Sequence, residues 1–125
     1  MNAMTYRVLA VEDDPNILMS IEFLLRNAGY TVQSASNGQD AWALLNRHPP
    51  DLAVLDVMLP GIDGLDLCRR MRTTEGLKST PILLRSARGG TAEVAEGLNQ
   101  GANAYLSKPF GTHDLLDAVA RLLAP

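Results

Sequence analysis

Five short strand-like segments alternate with five stretches of helical spacing, and this alternation constrains the chain more than any other feature. Val8-Leu9-Ala10-Val11, Leu52-Ala53-Val54-Leu55 and Ile82-Leu83-Leu84 are unbroken apolar runs, each too short for a helix. A strand exposed on one face alternates apolar and polar residues, whereas a strand covered on both faces reads as continuously apolar. These three runs are therefore expected to be buried strands of a parallel sheet. Thr31 to Ala35 and Ala104 to Ser107 are weaker strand candidates.

The intervening stretches repeat apolar residues at helical steps. Leu18, Ile21, Leu25 and Ala28 form one such stripe. Asp14 before Pro15 is a start signal and Gly29 a stop signal. Ala41, Leu44 and Leu45 form a second stripe, ended by Pro49-Pro50, and Leu65, Cys68 and Met71 a third. Val94 and Leu98 mark a polar fourth, broken by Gly97. Leu115, Leu116, Val119, Leu122 and Leu123 make the fifth, with Thr112 as its expected cap. Repeated strand-helix order predicts an α/β fold with right-handed crossovers.

At 125 residues the chain suits one domain. That domain is expected over residues 5–125, with residues 1–4 an N-terminal extension, native or left by cloning. One cysteine, Cys68, excludes an internal disulfide framework. The longest apolar run, Ala41 to Leu45, is far short of the ~20 residues that span a bilayer, and Met1 to Arg7 holds no apolar leader core. A cytoplasmic protein with no membrane contact is expected. A net charge of −3 argues against direct nucleic-acid binding.

The acids carry the functional signal. Glu12, Asp13 and Asp14 follow the first strand, and Asp56 follows the third. Ligands of open α/β sheets bind beyond the carboxyl ends of strands, where strand order reverses. In a flavodoxin-like order, 2-1-3-4-5, the first and third strands are neighbours there. Asp14 is read as a helix cap, so Glu12, Asp13 and Asp56 would converge on one crevice. Like charges ~4 Å apart repel by roughly 4 kcal/mol at an effective dielectric of 20, so a counter-charge is required. A hard cation such as Mg²⁺ suits carboxylate oxygens. Lys108 and Ser86, at the fifth and fourth strand ends, would add an ammonium and a hydroxyl. Trp42 and Cys68 read as packing residues, His48 and His113 as surface residues.

The stretches VLAVEDDPNI, PPDLAVLDVMLPGIDGLDLCRRMR, TPILLRSA and GANAYLSKPF together resemble the receiver domains of two-component response regulators, from Val8 to Leu123. The resemblance implies a doubly wound, five-stranded, three-layer α/β/α fold with five helices. It implies that Asp56 is the phosphoacceptor and that Glu12 and Asp13 form the acidic pair. Asp13, Asp56 and the Met58 backbone carbonyl would bind Mg²⁺ directly, and Glu12 through water. Ser86 and Tyr105 would be the switch pair, Lys108 the phosphate-binding lysine, and Pro109 the residue after a cis peptide bond. The implied donor is a sensor histidine kinase or a histidine phosphotransfer protein. The implied output is an altered surface around the fourth helix, fifth strand and fifth helix. That surface would be read by an effector domain or downstream protein, or used in a phosphorylation-dependent homodimer. The module would assist only its own phosphorylation and dephosphorylation.

Departures from the family pattern are Asn103-Ala104 before the switch tyrosine, an acidic fifth helix with Asp114 and Asp117, Gly89-Gly90, and Arg85 before Ser86. Arg85 is open to two readings, an exposed residue at the sheet end or a modifier of phosphoryl access. Two other functions compete. A phosphohydrolase with an aspartyl nucleophile would need a second aspartate where Met58 stands. A receiver-like scaffold acting without phosphorylation would not need Glu12, Asp13, Asp56, Ser86 and Lys108 together.

Overall fold

The computed structural model describes residues 5–86, 91–107 and 111–124. Their elements run β1 (Arg7–Val11), α1 (Pro15–Asn27), β2 (Thr31–Ala35), α2 (Gly38–Arg47), β3 (Leu52–Asp56), α3 (Gly64–Arg72), β4 (Ile82–Ser86), α4 (Thr91–Asn99), β5 (Ala104–Ser107) and α5 (Thr112–Leu123). The five strands pair in parallel in the order β2-β1-β3-β4-β5, the expected flavodoxin-like topology.

Period-two alternation along the strands divides the interior into two cores. Val8, Ala10, Val32, Leu52, Val54 and Leu83 face one way, against Ile21 and Leu25 of α1 and Leu115 and Val119 of α5. Leu9, Val11, Ala53, Leu55, Ile82 and Leu84 face the other, against α2 and α3. Every residue of β3 and β4 is buried, which is why these strands read as unbroken apolar runs. β5 is only half-buried throughout, and its sequence is correspondingly mixed.

The helix starts are set by side-chain caps. Asp14 accepts from the Asn16 and Ile17 backbone N–H groups, Asn37 from Asp40, and Asp63 from Asp66. Each satisfies a donor that the first helical turn leaves open.

Several expectations are corrected. Ala28 is the exposed C-cap of α1, so the buried stripe ends at Leu25. Thr112 is the first residue of α5, and the cap position belongs to Gly111, whose N–H donates to Asp114 Oδ2 at 2.9 Å. In α3 the buried residues are Gly64, Leu67, Cys68 and Met71, with Leu65 only partly covered. In α4 Leu98 is exposed and Gly97 is buried. Gly97 is a packing contact: a Cβ there would lie 2.8 Å from Tyr105 Cδ2 and 3.0 Å from Leu84 Cδ1.

The end of the sheet where β4 and β5 begin is tied together by Arg72 of α3. Its guanidinium donates to the carbonyls of Thr80 and Gly101 and to Asn103 Oδ1, each at 2.9 Å. Asn103 Oδ1 also accepts from the Ile82 N–H at 2.8 Å. Asn103, noted as a departure before the tyrosine, thus joins the starts of β4 and β5.

Candidate functional site

The opposite end of the sheet carries the acids. Glu12 follows β1, and Asp56 is the last residue of its neighbour β3, so the β1–β3 pairing brings them together. One carboxylate oxygen from each of Glu12, Asp13 and Asp56 lies within 4.8 Å of the others. Glu12 and Asp56 are buried, at 2% and 4% exposure, while Asp13 faces solvent. Concentrated carboxylates of this kind form a hard, oxygen-only donor set, open on the Asp13 side. Asp14 is apart from them, occupied as the α1 cap, as expected.

Glu12 is held on both oxygens. Oε2 accepts from the Asp14 N–H at 3.0 Å, and Oε1 accepts from Arg85 Nη1 at 2.9 Å. Arg85 is 1% exposed, which decides between its two readings: it is an interior residue of the site. Ser86 was expected at the end of the fourth strand and is there, but the apolar run Ile82-Leu83-Leu84 did not show that Arg85 between them would be buried. A usable signal was parity. Arg85 lies opposite Asp56 in register and two residues from Leu83, so it shares the α1/α5 face with Asp56.

Ser86 is fully buried at the end of β4 and lies on the other face, the one facing α3. Tyr105 shares that face. It is opposite Leu84, packs against the same core, and borders a cavity of about 170 Å³ lined by Val57, Leu65, Ala92, Glu93, Glu96 and itself. Met58 follows two residues after Asp56 and is 55% exposed, so its side chain takes no part in the cluster. Gly64 begins α3 directly against the end of β3. Its N–H donates to the Val57 carbonyl at 3.0 Å, and a Cβ there would lie 2.3 Å from the Asp56 carbonyl oxygen. Lys108, Pro109 and Gly89-Gly90 lie outside the described residues, as do residues 1–4.

Cys68 is buried beneath α3, and burial pushes its thiol up to about 12. It is a packing residue. Trp42 is half-buried, with the Arg70 guanidinium 5.7 Å from its ring centroid, and His48 and His113 are exposed.

A parallel sheet in the order β2-β1-β3-β4-β5 with acids at its switch point defines a flavodoxin-like α/β module. The model of the response regulator receiver domain family matches residues 8–120, and the chain belongs to that family. It is 42% identical over 117 residues to the response regulator MprA of Mycobacterium leprae, covering 94% of this chain and 50% of that protein. The chain thus spans about half the length of the curated relatives it matches. Among solved structures it is similar to a candidate response regulator from Chloroflexus aurantiacus, at 38% identity and a TM-score of 0.92, covering 98% of this chain and 100% of that one. It is also similar to the receiver domain of a sensor histidine kinase from Pseudomonas aeruginosa, solved with magnesium coordinated in its active-site cleft. That match has 31% identity and a TM-score of 0.88, and covers 96% of this chain and 98% of that one. No helix among the described residues is long and apolar enough to cross a membrane.

Proposed function

We propose that this receiver is a Mg²⁺-dependent phosphoacceptor with Asp56 as the acceptor, within one domain over residues 5–125. The observation that carries the reading is the convergence of Glu12, Asp13 and Asp56 oxygens within 4.8 Å at the β1–β3 switch point. Three carboxylates so close suit a hard divalent cation, which Asp13, Asp56 and the Met58 carbonyl would hold. Glu12, with both oxygens already accepting hydrogen bonds, fits the water-mediated role. A bound Mg²⁺ would supply charge neutralisation for the carboxylates and the incoming phosphoryl oxygens.

Asp56 provides the nucleophile. A carboxylate oxygen attacks phosphorus, the new P–O bond forms as the P–N bond of a phosphohistidine breaks, and the leaving imidazole takes up a proton. The donor is a histidine kinase or a histidine phosphotransfer protein. The Lys108 ammonium and the Ser86 hydroxyl then bind the new phosphoryl oxygens. Ser86 moves toward them, and the Tyr105 ring turns into the cavity beside α4. This is a two-state element whose balance is shifted by a covalently added anion. The changed surface of α4, β5 and α5 passes the signal to an effector, on the same chain or on another, or to a second copy. The module turns over no separate substrate: a phosphohydrolase would need an acid at the position of Met58, which is apolar and exposed.

The test is intact mass after incubation with Mg²⁺ and a small-molecule phosphodonor. One added phosphoryl group is expected, and none in Asp56→Asn. Modification that persists in Asp56→Asn would overturn the assignment. NMR of the Tyr105 ring with Mg²⁺ and beryllofluoride tests the switch, and an unchanged ring environment would refute it.

A further inference from the structure

We infer that Arg85 is a built-in counter-charge that holds down the affinity of the acidic cluster for divalent cations. The inference rests on the reading of Glu12, Asp13 and Asp56 as a cation site, and goes beyond it by assigning the cluster an internal competitor.

The geometry is specific. β4 is not adjacent to β1, because β3 lies between them. Strands are ~4.8 Å apart, so a β4 side chain must cross nearly 10 Å to reach β1. Few side chains are long enough. Arg85 starts opposite Asp56 on β3, on the same sheet face, and ends with Nη1 2.9 Å from Glu12 Oε1. Its path therefore passes the acceptor strand itself. The Arg85 and Glu12 side chains are each only 2% exposed, so solvent screens their interaction little.

The charge balance follows. Glu12, Asp13 and Asp56 carry three negative charges, and Arg85 reduces the cluster to two. The guanidinium is held in the interior by its ion pair, so this offset is built into the site. A divalent cation entering the crevice meets a weaker field and a fixed positive charge one carboxylate away. Arg85 is a positioning residue: it fixes Glu12 in place and sets the cation concentration at which the crevice fills.

The experiment titrates Mg²⁺ alone into the full chain, by calorimetry and by amide shifts of Val57 and Met58, with no phosphodonor present. Arg85→Met should bind Mg²⁺ about tenfold more tightly or better, since one opposing charge has been removed at close range. Arg85→Lys keeps the charge and should stay within about twofold of the parent. Glu12→Gln removes one negative charge while Arg85 stays, and should weaken binding. Glu12→Gln with Arg85→Met restores a net of two negative charges and should return affinity toward the parent.

Arg85→Met removes the guanidinium from buried Glu12 Oε1 and can lose stability. If it folds only when Mg²⁺ is added, its melting temperature rising with Mg²⁺ more steeply than the parent's, the inference is supported. If it folds under neither condition, the double variant compared with Glu12→Gln decides the matter by the same expected tightening. Mg²⁺ affinity unchanged or weakened on removal of Arg85, in either comparison, overturns the role of Arg85 alone. Absence of Mg²⁺ binding in the parent and in every variant overturns the cation site as well.

Discussion

Replacing Gly97 with alanine tests whether α4 and the Tyr105 ring are in direct contact. The added methyl would sit 2.8 Å from Tyr105 Cδ2 and 3.0 Å from both Tyr105 Cε2 and Leu84 Cδ1. Carbon atoms pack at ~3.5–4.0 Å, so a neighbour must retreat by roughly 1 Å. Leu84 is fully buried in a close-packed core and has nowhere to go. Tyr105 is half-buried and borders the α4 cavity, so the ring yields. Two energies oppose each other. Alanine is worth ~0.8–1.0 kcal/mol over glycine inside a helix. Overpacking costs ~1–3 kcal/mol. The expected net is a loss of about 1 kcal/mol, read from urea midpoints, with displaced Tyr105 ring resonances. In a Tyr105→Ala background the ring is gone, and Gly97→Ala should become neutral or stabilise by up to ~1 kcal/mol. The cycle should give a coupling of ~1–2 kcal/mol between the two positions. Equal effects of Gly97→Ala in both backgrounds, or net stabilisation with unmoved Tyr105 signals, would refute the contact.

Two further outcomes are expected. Gly64→Ala places a Cβ 2.3 Å from the Asp56 carbonyl oxygen and 2.9 Å from Val57 Cα, both backbone atoms that cannot swing away. It should cost ~1–3 kcal/mol in urea unfolding and slow phosphorylation at Asp56; a variant as stable and as readily modified as the parent would show that the close approach of α3 is dispensable. The Cys68 thiol, pushed up to about 12 by burial, keeps its proton in the folded state, whereas the unfolded chain gives it up near 9. The stability this contributes is therefore intact below pH 9 and is lost as pH rises toward 12. Cys68→Ala should remove up to ~1.4 kcal/mol per pH unit from the alkaline slope of stability, and parallel slopes in parent and variant would contradict the burial argument.

The strands were legible because burial on both faces leaves a simple trace, and Leu52 to Leu55 and Val8 to Val11 carry it in full. The switch-point acids were legible for the same reason: a carboxylate ending an apolar run has few places to be except the sheet edge. α4 was read one residue out. Its inward face is formed by Gly97 against a ring from β5, and a contact made by having no side chain leaves no apolar signature. Arg85 stayed open between a sheet-end and a site reading because a charge beside a buried run normally marks the run's end. Here it continues the strand, and a carboxylate just after β1, distant in sequence, helps to make that tolerable. Lys108 and Pro109 rest on the motif, since they fall outside the described residues.

Arg72 gives the sheet a mechanical asymmetry. Its bonds to Thr80, Gly101 and Asn103, with Asn103 in turn bonded to Ile82, pin β4 and β5 where both strands begin. Ser86 closes β4 at its far end, whereas Tyr105 is the second residue of β5, beside the pinned start. The two strands thus share one bracket, with Tyr105 near the root of one and Ser86 at the end of the other. The length of β4 separates Ser86 from that bracket, while Tyr105 stands on a base that the bracket holds directly.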